Sequence, residues 1–171
     1  MRNAGFILLF FYFSVHLFSQ NEGITGARAY SLAGITTLQS DVWSANNNPA
    51  SLGNLEKWNA GLSYENQFLL TELSNKTVIV TAPIKSGTIA VSFNQFGYSS
   101  FNENRLGIAY GMRLSPKISM GVQLNYLNTR LGDGYGKTNA LSGNIGILAK
   151  VNEELTLSTM VINPNLSLIH I

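Results

Sequence analysis

The sequence predicts an all-β protein: an antiparallel transmembrane β-barrel, incomplete at about seven strands and therefore an open, curved sheet, with an N-terminal hatch segment of short helical turns. Three observations predict this fold. Seven runs alternate apolar and polar residues with period 2. The residues of the polar phase are mostly small and seldom charged. The connections between the runs also alternate between short and long. Only 12% of the residues are charged, about half the usual share, although 45% are hydrophobic.

Residues 1–19 are predicted to be a secretory signal peptide. Arg2 supplies the positive charge, Phe6–Val15 is the apolar core, and Ser19 is a small residue at a suitable cleavage point. A single membrane anchor is the alternative, but an apolar run of about 10 residues is shorter than the roughly 20 that a spanning helix needs. We therefore expect export, and localisation in the outer membrane.

Residues 20–56 are predicted to be the hatch, or plug. Asp41 is placed to cap a short helical turn. Asn48 and Pro49 form a second helix start, with Asn as N-cap and Pro at the first helical position, and Gly53 is the predicted stop. Composition leaves two interpretations open: the segment fills the lumen of a barrel, or it lies on the surface as an irregular arm.

Residues 57–165 are predicted to form the strands of the barrel wall. The apolar phases of the seven runs are Trp58–Tyr64, Val78–Ala82, Ile89–Phe93, Leu106–Leu114, Ile118–Tyr126, Ile145–Val151 and Leu155–Val161. The charges of these runs fall on the other phase, and we expect them to form a lumen charge network: Glu65, Arg105, Arg113 and Lys150. A charge facing hydrocarbon near the midplane would cost about 2–4 kcal/mol, which selects for this segregation.

The connections between the runs provide a second signal. The predicted short connections are residues 83–87, 115–117 and 152–154, and the longer ones are residues 68–75, 97–103 and 131–139. Outer-membrane barrels have short periplasmic turns and longer outer loops. A soluble, secreted β-protein would also alternate, but its outward face should carry Lys and Glu rather than Gly, Ser and Asn.

The segment GARAYSLAG followed by SDVWSANNNPASLG resembles the N-terminal segment of the FadL-type outer-membrane barrel family, in particular its PorV-like and PorQ-like relatives of Bacteroidota. The matching residues are Gly26, Ala27, Arg28, Ala29, Gly34, Asp41, Asn48, Pro49, Ala50 and Leu52. The resemblance implies that this segment is a hatch in the lumen of a barrel of about fourteen strands. It also implies either inward passage of hydrophobic compounds or partnership with a secretion system.

The sequence departs from that family in length. Single-chain bacterial barrels have an even number of strands, from eight upward, so seven predicted strands indicate an N-terminal fragment. The tail, residues 166–171, reads LSLIHI, lacks a terminal aromatic residue and resembles a translated adapter read-through. We therefore expect an open sheet.

No catalytic constellation stands out. His16 falls in the predicted signal and His170 in the tail, and the chain has no cysteine, which argues against histidine triads and most metal sites. A net charge of +2 without a basic cluster argues against nucleic acid. We expect no enzymatic activity, no cofactor and no metal.

The predicted function is that of an outer-membrane barrel protein, for transport of small hydrophobic compounds or as a secretion-system partner. The expected partners are outer-membrane lipid and either hydrophobic small molecules or secretion-system components. Motion of the hatch around Asn48, Pro49 and Ala50 would gate passage. One alternative is a small eight-strand structural or adhesive barrel, with an extra strand from residues 20–38 and a lumen filled by side chains. A second is a soluble secreted β-protein.

Overall fold

The computed structural model describes residues 25–132 and 136–163. They form one curled, seven-stranded antiparallel sheet, a half-barrel, with a short helical segment on its inner face. The predicted signal peptide, the first residues of the predicted hatch (20–24) and the tail (166–171) lie outside the described residues. Within those residues, no helix combines the length and the apolar character needed to cross a bilayer.

The sheet is a simple meander in which each strand pairs with the next in sequence. Its strands are β1 (Asn59–Asn66), β2 (Ser74–Ile84), β3 (Gly87–Gly97), β4 (Phe101–Ser115), β5 (Ile118–Leu131), β6 (Gly136–Lys150) and β7 (Thr156–Ile162). The predicted all-β class, the seven strands and their antiparallel order are confirmed for the described part of the chain.

The apolar face of the sheet is exposed and the polar face is buried, which β5 shows most clearly. Its apolar residues, from Ile118 to Tyr126 at every second position, point away from the helical segment and are exposed. Its intervening residues Ser119, Gln123 and Asn125 point toward that segment and are at most 3% exposed. The predicted alternation is confirmed, and the polar phase, rather than the apolar one, is covered by protein.

The connections differ from the prediction. Residues 85–86 and 116–117 are tight turns as expected, but the predicted long connection at 97–103 shrinks to residues 98–100. The last predicted short connection occupies residues 151–155 and is longer than residues 132–135. The predicted strict alternation of connection lengths is therefore wrong. The predicted long connections are shorter than expected because β4 and β5 pair as far as Phe101 and Leu131. Backbone pairing continues there through polar residues, which carry no period-2 apolar signal.

Three short helices make up the segment on the inner face: α1 (Ala27–Ser31), α2 (Ser44–Asn47) and a 3-10 helix (Pro49–Asn54). The Asp41 carboxylate accepts a hydrogen bond from the Trp43 backbone N–H (2.9 Å), forming the predicted capping turn just before α2. The Asn48 side chain caps the 3-10 helix, with Pro49 at its first turn, as predicted. This helix ends at Asn54, one residue beyond the predicted stop.

Helix α1 was not predicted, because it offers no start signal. Its N-cap residue is Gly26, and no side chain caps its first turn. Two single 3-10 turns, Gln67–Leu69 and Thr71–Leu73, also lie unpredicted in the β1–β2 connection. None of these three elements has a side-chain cap, so no local capping signal marks them in the sequence.

A small apolar core joins the helical segment to the sheet. It consists of Ala45 and Leu52 from the segment and Ile79, Ala90 and Ala109 from the wall, each at most 2% exposed. Three of these five are alanines, so the core buries little apolar area. Hydrogen bonds must therefore contribute a large part of the attachment.

The substitution Ile79→Ala should be costly, because Ile79 is the largest wall side chain in this core and is 0% exposed. Deleting a buried isoleucine side chain to alanine typically costs about 2–5 kcal/mol of unfolding free energy. Urea unfolding followed by tryptophan fluorescence measures the loss, since Trp43 packs against the same core. The matched control is Val80→Ala on the opposite face, 42% exposed, which should lose clearly less; equal losses would contradict this core.

Candidate functional site: the hatch and its glycine floor

The turn around Asn48, Pro49 and Ala50 lies directly on three glycines of the wall. Gly111 pairs with Gly121 across β4 and β5, and Gly121 pairs with Gly146 across β5 and β6. We call these three residues the glycine floor. A Cβ atom at Gly111 or Gly121 would collide with the Pro49 carbonyl group, and one at Gly146 would collide with the Asn48 amide oxygen. Only glycine lets the wall and the turn approach this closely.

Asn48 joins the segment to the far end of the sheet. Its side chain is completely buried, and its Nδ2 atom donates to the Thr37 carbonyl oxygen (2.9 Å) and to Ser158 Oγ on β7 (2.8 Å). Its Oδ1 atom accepts from the Ala50 N–H (3.0 Å). One amide thus satisfies the segment's own backbone and a strand 110 residues away, so that nearly all of its hydrogen-bonding capacity is used.

A second set of hydrogen bonds runs along the inner face of β5 and β6. Gln123 Nε2 donates to Asn46 Oδ1 (3.2 Å), and Asn144 Nδ2 donates to Gln123 Oε1 (3.1 Å). Thr88 on β3 adds a bond from its hydroxyl to the Leu55 carbonyl oxygen (3.1 Å). Buried amides are costly unless they are paired, so these contacts orient the segment against the wall.

The other predicted hatch residues have separate roles. Gly26 has a φ of 97° and lies under the Trp43 ring, where a Cβ would be 2.7 Å from Cδ1. Asp41 holds the turn that places the same tryptophan. Arg28 lies on α1 and is exposed. The structure thus brings Asn48, Pro49 and Ala50 together, brings Gly26 and Asp41 to the Trp43 ring, and leaves Arg28 outside both groups.

Two of the predicted lumen charges, Glu65 and Arg105, lie on the inner phase toward the end of the sheet that carries the β1–β2 connection. Glu65 accepts a hydrogen bond from the Tyr30 hydroxyl of α1 (2.7 Å). Loss of solvent around that hydroxyl, together with the Glu65 carboxylate, raises the pKa of Tyr30 well above its ordinary value. Tyr30 therefore stays protonated and remains a donor. Arg105 lies 3.9 Å from Glu103 on the same strand.

The other two, Arg113 and Lys150, lie at the opposite end, near the tight turns. Arg113 Nη2 donates to Asn54 Oδ1 of the 3-10 helix (3.2 Å), and Lys150 pairs with Glu153 (2.9 Å). A cavity of about 350 Å³ opens here between the segment and the wall. The four charges are thus distributed between the two ends of the inner face, and their interpretation as one network stays a prediction.

The glycine floor was missed by sequence reasoning, although its signal was present. Gly111, Gly121 and Gly146 each fall on the polar phase of a predicted strand, on three successive strands. The phase says which face they share, but only the strand register says that they are neighbours. Gln123 and Asn144 lie on the same polar phase, which assigns them to the inner face but does not predict the hydrogen bond between them.

The outward face carries a second feature, a band of apolar side chains with a sharp upper boundary. One cross-strand row consists of Val78, Phe93, Leu106, Tyr126 and Leu141. The next row toward the β1–β2 connection consists of Lys76, Gln95, Asn104, Asn128 and Asn139. From β2 to β6, every residue of the first row is apolar or aromatic, and every residue of the second is polar or charged. On β1, Leu62 continues the first row and Tyr64 the second.

The height of this apolar band can be read from β5, where the outward residues are apolar from Ile118 to Tyr126. Eight residue steps span about 27 Å along the strand. A tilt of about 40° shortens this to roughly 20 Å, and the side chains extend it at both ends. The outward apolar band of membrane barrels is about 25 Å tall, so the dimensions agree.

Among residues 25–132 and 136–163, no group of three or more His, Cys, Asp or Glu side chains is placed to hold a metal ion. Comparisons with protein-family models, with curated proteins and with solved structures give no match. Function must therefore be inferred from the two features above, the glycine floor and the apolar band.

Gly146→Ala should loosen the helical segment, because its Cβ would take the place of the Asn48 amide oxygen. Limited proteolysis should cut residues 25–56 at least tenfold faster in this variant, a loss of roughly 1.4 kcal/mol in docking free energy, which is within the usual cost of overpacking.

The control for this substitution is Gly143→Ala on the same strand. Its nearest neighbours would be 3.7 Å from the new Cβ, an ordinary contact. Cleavage of this variant should match the wild-type rate. Equal protection of both variants would show that the glycine floor does not hold the segment.

Proposed function

We propose that this chain is an outer-membrane β-barrel protein of the FadL type, with residues 25–56 acting as a hatch against the barrel wall and controlling the passage of small hydrophobic compounds. The observation that carries the proposal is the apolar band on the outward face, combined with an inner face whose buried positions are mainly small or polar. The motif resemblance at Asn48, Pro49 and Ala50 supports the same family.

The apolar band requires an apolar environment. Its members remain 37–70% exposed on β5 alone, from Met120 to Leu124, and the band continues across the neighbouring strands. Soluble monomers rarely expose a contiguous apolar patch larger than a few hundred Å². A lipid bilayer covers such a band on all strands at once, and the polar row above it would then lie at the headgroups.

The attachment of the hatch suits a movable element. Its apolar core is small, and side-chain hydrogen bonds such as those of Asn48 and Gln123 join it to the wall. Water entering a lumen could replace these bonds, whereas the loss of a large apolar core could not be offset in this way. Motion of the hatch therefore costs less than its extensive burial suggests.

The inner face also disfavours a small barrel that is filled by its own wall side chains. Such a lumen needs large inward residues, whereas the wall here presents Gly111, Gly121 and Gly146 and leaves their space to the hatch. Space that a separate segment occupies becomes a path when that segment moves.

A charge placed in the middle of the apolar band tests the membrane environment. Val122→Arg lies on the central row of the band, and an arginine at the midplane costs about 2–4 kcal/mol in a bilayer. The matched control is Asn128→Arg, on the same strand and face but beyond the boundary, where the cost is about 0–1 kcal/mol. Urea unfolding of both variants in phosphatidylcholine vesicles measures the difference.

A soluble β-protein predicts the opposite result. In water, Val122→Arg would remove an exposed apolar side chain and should leave stability within about 0.5 kcal/mol of wild type. Recovery of folded wild-type protein in the aqueous fraction without detergent would also contradict the membrane proposal.

Passage is tested by loosening the hatch from the wall. Deletion of Asn46–Leu52, or the substitution Gly146→Ala, should raise the uptake of a hydrophobic fluorescent probe into cells several-fold if the hatch closes a path. Gly143→Ala is the control and should leave uptake unchanged. Unchanged uptake in all three, with the barrel still inserted, would exclude gating and favour a role as a secretion partner.

A further inference from the structure

A polar groove lies on the outward face, directly above the apolar band. Lys76, Gln95, Tyr98, Asn102 and Arg130 contribute to its lining, and its volume is about 490 Å³. Lys76 and Gln95 pair across β2 and β3, and Asn102 pairs with Arg130 across β4 and β5. The groove therefore spans four strands immediately beyond the last apolar row; we call it the cationic groove.

The positive charge of this region is not neutralised by the groove itself. Arg130 is directly opposite Lys137 across β5 and β6, with both residues exposed on the outward phase. Like charges directly opposite each other in a sheet are destabilising. None of the described residues that line the groove is a carboxylate; Glu65 and Glu103, on neighbouring strands at the same end, lie on the inner phase.

The depth of the cations fits one layer of a membrane. Lys76 lies one row and Arg130 two rows beyond the apolar boundary, and each row adds about 7 Å along a strand. With strand tilt, this places them roughly 5–10 Å above the hydrocarbon edge. The headgroup layer occupies about 5–7 Å on each side of a bilayer. Lys76 therefore lies within this layer, and Arg130 lies just beyond it, within reach of the phosphates for a long arginine side chain. Tyr126, on the last apolar row, lies at the depth where interfacial tyrosines are enriched.

We propose that the cationic groove binds the phosphate of a membrane-lipid headgroup in the leaflet on this side of the barrel. Arg130 supplies a planar pair of donors that matches phosphate oxygens, Lys76 adds a second charge, and the amides of Gln95 and Asn102 complete the set of donors. A bound phosphate also relieves the repulsion between Arg130 and Lys137. This inference rests on the membrane location proposed above.

The test uses the protein inserted in two kinds of nanodisc, one of pure phosphatidylcholine and one with added phosphatidic acid, whose headgroup is a phosphomonoester. Native mass spectrometry counts the retained phosphatidic acid. Removing two charges near a membrane surface should weaken retention about thirtyfold, so the double variant Lys76→Gln with Arg130→Gln should lose it. The matched control, Lys85→Gln with Lys117→Gln, removes the same charge from two exposed turn residues at the opposite end and should retain the lipid.

The outcomes separate the possibilities. Retention by Lys76→Gln with Arg130→Gln equal to wild type, in protein that inserts normally, overturns the lipid site but not the membrane proposal. Failure of the wild-type protein to insert overturns both. A further arm adds inorganic phosphate: full displacement of the lipid at millimolar phosphate would identify a free-anion site and overturn the assignment to lipid. Arg130→Lys, which keeps the charge, should retain most of the lipid and shows that the groove remains folded.

Discussion

The close approach of the Pro49 and Asn48 backbone to Gly111, Gly121 and Gly146 is the contact on which the arrangement depends. It brings the hatch near enough for the Asn48 amide to reach Ser158, and for Asn46 to reach Gln123. A single methyl group on the floor would lift the turn away from the wall. The absence of side chains on these three glycines, rather than a strong attraction, thus determines where the hatch can lie.

The two faces of the sheet differ in the chemistry of their side chains. The inner face pairs several of its buried polar groups with hydrogen bonds, as Gln123 does with Asn144 and Asn46, because unpaired buried amides are costly. The amide of Asn125, on the same face, has no hydrogen-bond partner among the described residues. The outward face presents apolar side chains with few polar atoms, and its boundary between the Tyr126 and Asn128 rows is sharp. The sheet thus has an apolar outward face and an inner face that is mainly polar or small where it is buried.

Much of this organisation could be predicted from sequence, because period-2 alternation assigns each side chain to a face without knowledge of strand pairing. The Asn48–Pro49 start signal also predicted a short helical turn, which is the 3-10 helix Pro49–Asn54, since its capping chemistry is local. Helix α1 carried no such signal. The floor, the Asn48–Ser158 contact and the polar row above the band depend on register between distant residues, which no local pattern contains.

The floor also has a consequence for assembly. Its three glycines come from three successive strands, and they align only when β4, β5 and β6 pair in the native register. A slip of two residues keeps the apolar phase outward but places Ser119 or Gln123 beneath Pro49 instead of Gly121, and either side chain blocks the turn. A sheet with a misaligned register can still form its backbone hydrogen bonds, but the helical segment cannot dock on it. Docking of the segment therefore favours the native register of β4, β5 and β6.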